Sequence, residues 1–406
     1  MYPLPMQSYP TRTLDTNETN LLRRFTNTLT AAALHDYDCF VKNCHSNVGE
    51  DTRHTWKFIK KREGLTVYRD CAVDPTLPDD NITMIEENGR ISNQDHPLTG
   101  QIQALLCVGT IPGTLDDIMY GVIAPTAEDT MLKSSCIRDN VVDCCVLASI
   151  ASPTPADPWR SLTLKWAVNA NPVLMRPLVR PRDFTYVEST GATTNVDGER
   201  VGYHIIHSVV IPDTQPIDDH ELVRGNMSLY HIYRQKSPST VEVHVRAFWQ
   251  LNGQMLPKFQ TISCVKATIA IAQIRTCSQM KKLACLRQEN RSVDNSDPRC
   301  CSLCKKWIGG CCAVDTTCSV CRSVICRQGS RYNRLRHFSP LKREVVTRRQ
   351  ALCRRCQRKS EEHMIIQESK PVKRTKGLSS RALSTVSTAS LDSRDWSSIK
   401  YKRGKN

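Results

Sequence analysis

Long apolar runs are missing from this chain of 406 residues. Nothing in it approaches the roughly 18 consecutive apolar residues of a membrane-spanning helix, which argues against an integral membrane protein. The first residues, from Met1 to Ser8, have neither the basic cluster nor the apolar run of a secretory leader, so the chain is expected in the cytoplasm. No internal repeat is found, which excludes a solenoid. Aromatic residues make up only 6% of the chain and rarely interleave with its basic residues, so a nucleic-acid stacking platform is not expected. Catalytic constellations are not recognised either: no nucleophile or carboxylate partner is placed with His204, His207, His231 or His244 in a known catalytic pattern. Their segments alternate like strands, and solvent-facing or hydrogen-bonded strand histidines are expected there rather than acid/base catalysts.

Charge and cysteine are unevenly distributed. Acidic residues are scarce in the last third: residues 299–356 carry 14 Lys and Arg against 2 Asp and Glu, and residues 357–406 carry 12 against 5. An anionic partner would be met in that part of the chain. Ten of the 20 cysteines fall between Cys300 and Cys356. In a reducing compartment such clustering points to metal rather than disulfides. The scattered remainder, such as Cys144 and Cys145, are expected to act as small core hydrophobes.

Periodicity divides the chain further. Asp15 and Glu18 have the spacing of a capping box, and Leu21, Leu22, Phe25 and Leu29 recur at helical intervals, predicting a peripheral helix. From Trp56 to about Trp249 the runs are short, period-two and bounded by Gly, Pro, Asp and Asn, as in antiparallel sheet. Val241, Val243, Val245 and Ala247 alternate with polar residues, predicting one face on a core and one toward water; Leu162, Leu164, Trp166 and Val168 behave similarly. Residues 258–288 then form one long helix with a broad apolar face. A sheet closed by such a helix is either an ordinary packed α+β core or an arrangement that encloses a space. Beyond the cysteine cluster the chain is rich in Ser, Thr, Lys and Arg, with too little apolar surface to offset ordering, so a disordered tail is expected.

Several strings in residues 50–290 resemble the START (StAR-related lipid-transfer) family. Trp56 with Glu63, Gly64, Leu65, Thr66, Val67 and Tyr68 resembles its opening strand, and Pro181, Arg182, Asp183 and Phe184 its Arg-Asp-Phe motif. Val223, Arg224 and Gly225 are similar to a later motif, and Gly253 through Phe259 to the approach to its C-terminal helix. The resemblance implies an α+β helix-grip fold: a curved antiparallel sheet around a long C-terminal helix, with one lipid or sterol in an apolar cavity. Transfer of each methylene from water would contribute about 0.8 kcal/mol. Arg182 and Asp183 are candidates to orient a headgroup, but a structural salt bridge or strand-end hydrogen bonds is the favoured reading of the pair. The walls of the cavity are expected to be mostly aliphatic.

The cysteine spacing carries the strongest metal signal. Cys301 and Cys304, Cys318 and Cys321, and Cys353 and Cys356 form Cys-x2-Cys knuckles, and Cys326 follows Cys321 after four residues. Such knuckles in series can hold two zinc ions. The pattern resembles a FYVE finger, in which ligand pairs one and three share one zinc and pairs two and four the other. That resemblance implies one complete site, Cys318, Cys321, Cys353 and Cys356, and a second with Cys301, Cys304 and Cys326 whose expected fourth ligand falls on Gly329. Cys300, Cys311, Cys312 and His337 are candidates to complete it; a weakly held or absent ion is the alternative. All three phosphoinositide-clamping elements of that family are missing. The basic residues Arg331, Arg334, Arg336, Lys342, Arg343, Arg348 and Arg349, with Arg354 and Arg355, would still attract an anionic membrane. A RING-type finger fits less well, since its usual central histidine ligand is absent and the four-residue gap after Cys321 suits a FYVE finger better.

The expected organisation is an N-terminal helix and lead-in over 1–49, a START-like domain over 50–290, a FYVE-like finger over 299–358 and a basic, Ser-rich tail over 359–406. The expected function is that of a non-enzymatic lipid-binding or lipid-transfer adaptor, peripheral on endosomal or other internal membranes. A protein partner is open, and no specific nucleic acid is expected. The alternatives are an interaction scaffold with a vestigial cavity and a RING-like ubiquitin ligase.

Overall fold

The computed structural model describes residues 11–44, 55–71, 83–85, 91–93, 102–170, 179–211, 222–289, 299–308 and 316–362. Cys311, Cys312 and the tail from residue 363 onward lie outside these.

The chain opens on helix α1 (Thr16–Cys44). Its start is set by the expected reciprocal cap: the Glu18 amide donates to the Asp15 carboxylate at 2.8 Å, and the Asp15 amide donates to the Glu18 carboxylate at 2.9 Å. Strands β1 (Trp56–Arg62), β2 (Leu65–Asp70), β3 (Thr83–Ile85), β4 (Ile91–Asn93) and β5 (Ile102–Pro112) follow, then helices α2 (Leu115–Val122) and α3 (Ala127–Ile137). Thr114 and Thr126 cap these two helices through side-chain oxygens that accept from Asp117 and Asp129 amides. Next come β6 (Val141–Ala151), β7 (Ser161–Asn169), β8 (Arg182–Thr194), β9 (Arg200–Val210), β10 (Val223–Arg224), β11 (Asn226–Ser237) and β12 (Thr240–Gln250).

The main sheet runs in the order β1-β2-β5-β12-β11-β9-β8-β7-β6, and every neighbouring pair along that path is antiparallel. Helices α4 (Pro257–Ile269) and α5 (Ile274–Glu289) lie against its inner face, joined by a 3-10 turn over Ala270–Gln273 where one unbroken helix was expected. This is a mixed α+β, helix-grip arrangement. Val241, Val243, Val245 and Ala247 of β12 share one core with Cys264, Val265, Ile269 and Ile274 of the gripped helices. The Trp249 indole donates to Thr268 at 3.0 Å, pinning α4 to β12. Gly121 lets α2 approach α5, because a Cβ there would sit 2.6 Å from the Ile274 carbonyl oxygen.

The outer face departs from expectation. Glu242, His244 and Arg246 of β12 do not face water, because α1 lies over them. Tyr37 donates to Glu242 at 2.9 Å, the His244 ring packs on Phe40 at 4.8 Å, and Arg246 stands 3.8 Å from Asp36. Leu164, Trp166 and Val168 of β7 are buried against Leu22 of the same helix. The sheet is therefore covered on both sides, which explains why α1 carries apolar groups along so much of its length. Scattered cysteines divide as well: Cys107, Cys136, Cys144, Cys264 and Cys277 are buried core residues, whereas Cys71 and Cys285 are exposed.

The cysteine-rich segment comprises β13 (Thr316–Thr317), β14 (Val324–Ile325), the long hairpin β15 (Ser330–Ser339) and β16 (Glu344–Cys353), and helix α6 (Arg354–Glu361). It has its own small core, formed by Val320, Ile325, Leu335 and Leu352, which also takes in Leu283 of α5. Phe338 and Val345 pack on the main core, and Met280 of α5 touches both cores.

Candidate functional site

Two places gather groups capable of binding. The first is a cavity of about 100 Å³ between the inner sheet face and the helices. Its apolar wall includes Val122 of α2, Ile137 of α3, Ala267 of α4, Ile271 of the 3-10 turn, and Phe184 and Leu229 from the sheet. Its other wall is polar, with Lys133, Asp139, Glu188, His204 and His231. This corrects the expectation of a mostly aliphatic lining.

The polar wall is built by cross-strand register. Glu188 on β8 and His204 on β9 lie on adjacent strands and both face inward, while Lys133 descends from α3. Glu188 accepts from Lys133 at 2.7 Å, from His204 Nε2 at 2.7 Å and from Lys165 at short range. Lys165 completes its own shell with the Ala124 carbonyl at 2.6 Å and the Thr130 hydroxyl at 2.9 Å. His231 donates from Nδ1 to the His204 carbonyl at 3.0 Å, and the two rings stack with centroids 4.8 Å apart.

Burial would raise the Glu188 carboxyl, but Lys133 and Lys165, with His204, outweigh it and hold the group well below the usual carboxylate range. Burial, together with the Lys133 charge, pushes His204 down to about 4 despite Glu188. Burial and the neighbouring His204 hold His231 well below the ordinary histidine value. Both rings are therefore neutral near pH 7, poorly suited to shuttling protons. Thr130 is the one hydroxyl of serine or threonine type among the described lining residues, and it is occupied by Lys165.

The remaining candidates fall elsewhere. Arg182 and Asp183 are buried but do not line the cavity, so a headgroup-orienting role is not supported by their placement. Arg182 donates to the carbonyls of Arg180, Leu251 and Asn252, while Asp183 accepts from Trp166 at 2.9 Å and from Arg224 at 2.8 Å. These bonds tie β8 to β7, β10 and the β12 terminus. His207 donates to or accepts from Ser228 at 2.7 Å and packs on Phe25, on the outer face.

The second place is the cysteine-rich segment. The Sγ atoms of Cys318, Cys321, Cys353 and Cys356 lie within 4.8 Å of one another, and a separate set joins Cys301, Cys304 and Cys326. Each set can hold a metal ion. Backbone amides support the sulfurs: Cys353 donates to Cys318 Sγ at 3.3 Å, and Cys326 to Cys301 Sγ at 3.4 Å. Donors of this kind are compatible with thiolates and with zinc. Cys300 and His337 do not belong to the three-sulfur set. On the hairpin, Arg331, Arg334, Lys342, Arg348 and Arg349 are exposed. Arg336 and Arg343 are half-buried, and Arg343 turns back to pair with Asp143 at 3.4 Å instead of facing outward.

No family model and no curated protein matches this chain. Among solved structures it is similar to human StAR-related lipid transfer protein 5, with 14% identity and a TM-score of 0.41 over 64% of this chain and 99% of that one. It is also similar to human STARD10, with 16% identity and a TM-score of 0.38 over 63% and 82% of the two chains. A STAR-related lipid transfer protein from Xanthomonas axonopodis gives 14% identity and a TM-score of 0.33 over 55% and 96%. Each likeness is distant, and the properties of the two sites follow from this chain's own residues.

Removing the Glu188 charge should be costly because it leaves two buried ammonium groups uncompensated. Glu188→Gln is expected to lose about 3–5 kcal/mol in urea unfolding. Acidification should also destabilise the wild-type chain. Between the ordinary histidine value and about 4, unfolded histidines take up protons that folded His204 does not, so stability falls with pH through that window. Glu188, held low, keeps its contribution until the pH drops below the usual carboxylate range. A His204→Gln variant with an undiminished pH slope between 6.5 and 5 would count against this account.

Metal removal gives a separate test. The four-sulfur set shares its core with Leu283, so a chelated chain should exchange amide hydrogens faster over 280–289 and 344–353, with β11 and β12 unchanged. Unaltered protection of α5 would show that its end is held without the metal.

Proposed function

We propose that this chain is a non-enzymatic lipid-binding adaptor whose helix-grip region takes one apolar ligand and whose cysteine-rich segment is a zinc module that docks on an anionic membrane. The observation that carries this reading is the internal cavity, apolar on the helix side and charged at Glu188 and Lys133, placed between sheet and gripped helix. An apolar body on the first wall with a polar end toward the second is the kind of molecule such a space would take. At about 100 Å³ the space is below the roughly 300–1,000 Å³ of occupied ligand sites, so binding requires the helices to move outward. That same small volume favours a second reading, an interaction scaffold whose cavity no longer opens.

For the cysteine-rich segment, zinc in the four-sulfur set is supported by its buried, amide-supported sulfurs and by the tetrahedral preference of the ion. The FYVE-like assignment rests on the spacing, and the lack of its phosphate-clamping residues supports attraction by bulk charge rather than recognition of one headgroup. Exposed Arg334 and Arg349 are directly opposed across the hairpin, and Arg349 also stacks over exposed Tyr332 at 5.1 Å. This arrangement supports docking on an anionic surface, with a protein partner still open.

Native mass spectrometry of the full chain after incubation with a membrane extract separates the two readings of the cavity. The carrier reading expects a lipid adduct on the wild type, and its loss in Ala267→Phe, which places a ring in the cavity. No adduct on either protein would leave the scaffold. Docking is tested by sedimentation with phosphatidylserine vesicles. Each arginine is expected to contribute about 1 kcal/mol. Neutralising Arg334 or Arg349 should then weaken binding about fivefold at low salt, and both should matter less as salt is raised. Equal binding by wild type and the double variant would remove the hairpin from the membrane-facing surface.

A further inference from the structure

The two sulfur sets differ in a way that assigns them different chemistry. Cys318, Cys321, Cys353 and Cys356 supply four ligands, three of them buried. Among the described residues the other set supplies three, and its Cys304 is exposed. The FYVE-like spacing puts the position of a fourth ligand at Gly329. A Cβ built there would stand 3.6 Å from Cys326 Sγ, so the position faces the sulfur cluster but carries no donor. The nearest obstruction to a side chain is Leu303 Cδ1 at 3.1 Å, the end of a movable side chain. Gly329 does not adopt a left-handed φ, so backbone conformation does not demand glycine here. Exposed Lys305, Lys306 and Arg327 flank the set and give its surroundings positive charge.

We infer that Cys301, Cys304 and Cys326 form an open, three-thiolate metal site whose fourth coordination position is filled from outside the chain by a small thiol. A tetrahedral ion on three protein ligands keeps one exchangeable position. A thiolate donor suits a soft, sulfur-rich site, and the flanking cations favour an anionic ligand. The inference rests on the reading of the segment as a metal module. It makes the two ions unequal: one is structural and closed, the other exchangeable and responsive to the thiol content of its surroundings.

Cobalt(II) titration of the full, reduced chain tests this, because sulfur-to-cobalt absorption reports each site without reference to activity. Wild type should bind one cobalt tightly and a second more weakly. Added 2-mercaptoethanol should change the spectrum of the second alone. In Gly329→Cys the second spectrum should match the first and ignore the thiol. Changes outside the ligand shell alone move metal affinity about 10–100-fold, so the added thiolate should tighten the second site by at least about tenfold. Gly329→Ala, which adds the Cβ without the sulfur, should not tighten it. Cys326→Ser should lose the second ion and keep the first.

Absence of cobalt at both sites would defeat the metal reading itself. Binding of a single ion by both wild type and Gly329→Cys would leave that reading intact and overturn the open site. So would a second ion insensitive to thiol in the wild type but lost in Cys311→Ser or Cys312→Ser, since the chain would then supply the fourth donor.

Discussion

Ionised groups can remain inside a gripped sheet only if they neutralise and hydrogen-bond one another, and the Glu188 carboxylate is where this chain meets that requirement. Lys133 reaches it from a helix, while Lys165 and His204 reach it from the two neighbouring strands. The cluster thereby fixes the register of β7, β8 and β9 against α3. It also sets the chemical character of the cavity: one wall is polar because a helix and three strands converge there, and the opposite wall is apolar because it is the buried side of the closing helices.

The closing helix extends this constraint to the metal region. Ile274 and Cys277 lie in the main core, Leu283 in the small core of the cysteine-rich segment, and Met280 touches both. Lys282 adds a 2.5 Å contact to Asp117 of α2 and a 2.7 Å bond to the Glu362 carbonyl. Whatever orders the sulfur knuckles therefore also holds the second half of α5. Since α4 and the 3-10 turn at its start line the cavity, the cysteine-rich segment and the cavity lie at opposite ends of this packed helical run. Any coupling between them would be carried by that element.

How much could be read from the residues alone depended on distance along the chain. The cap on α1 was legible because Asp15 and Glu18 satisfy each other within one turn. Knuckle spacing was legible because two thiolates on a tight turn are close whatever surrounds them. Alternation in β12 revealed a core face but not what covers the other, because α1 lies some 200 residues away in sequence. Glu188 was overlooked for a related reason. A carboxylate at an inward position among Phe184, Tyr186 and Thr190 was the available signal, and only the register placed His204 beside it.

By itself the sequence determined the local periodicities, the strand-rich middle and closing helical region, the pairing of cysteines in knuckles and the separation of basic charge into the last third. Those properties depend on neighbouring residues, and short-range sterics and hydrogen bonding decide them. Tertiary structure alone decided that Glu188 and the two stacked histidines face the cavity, and that Arg343 turns inward to Asp143. Each of these is a meeting of groups distant in sequence, and only the pairing of strands and the packing of helices on them brings such groups together.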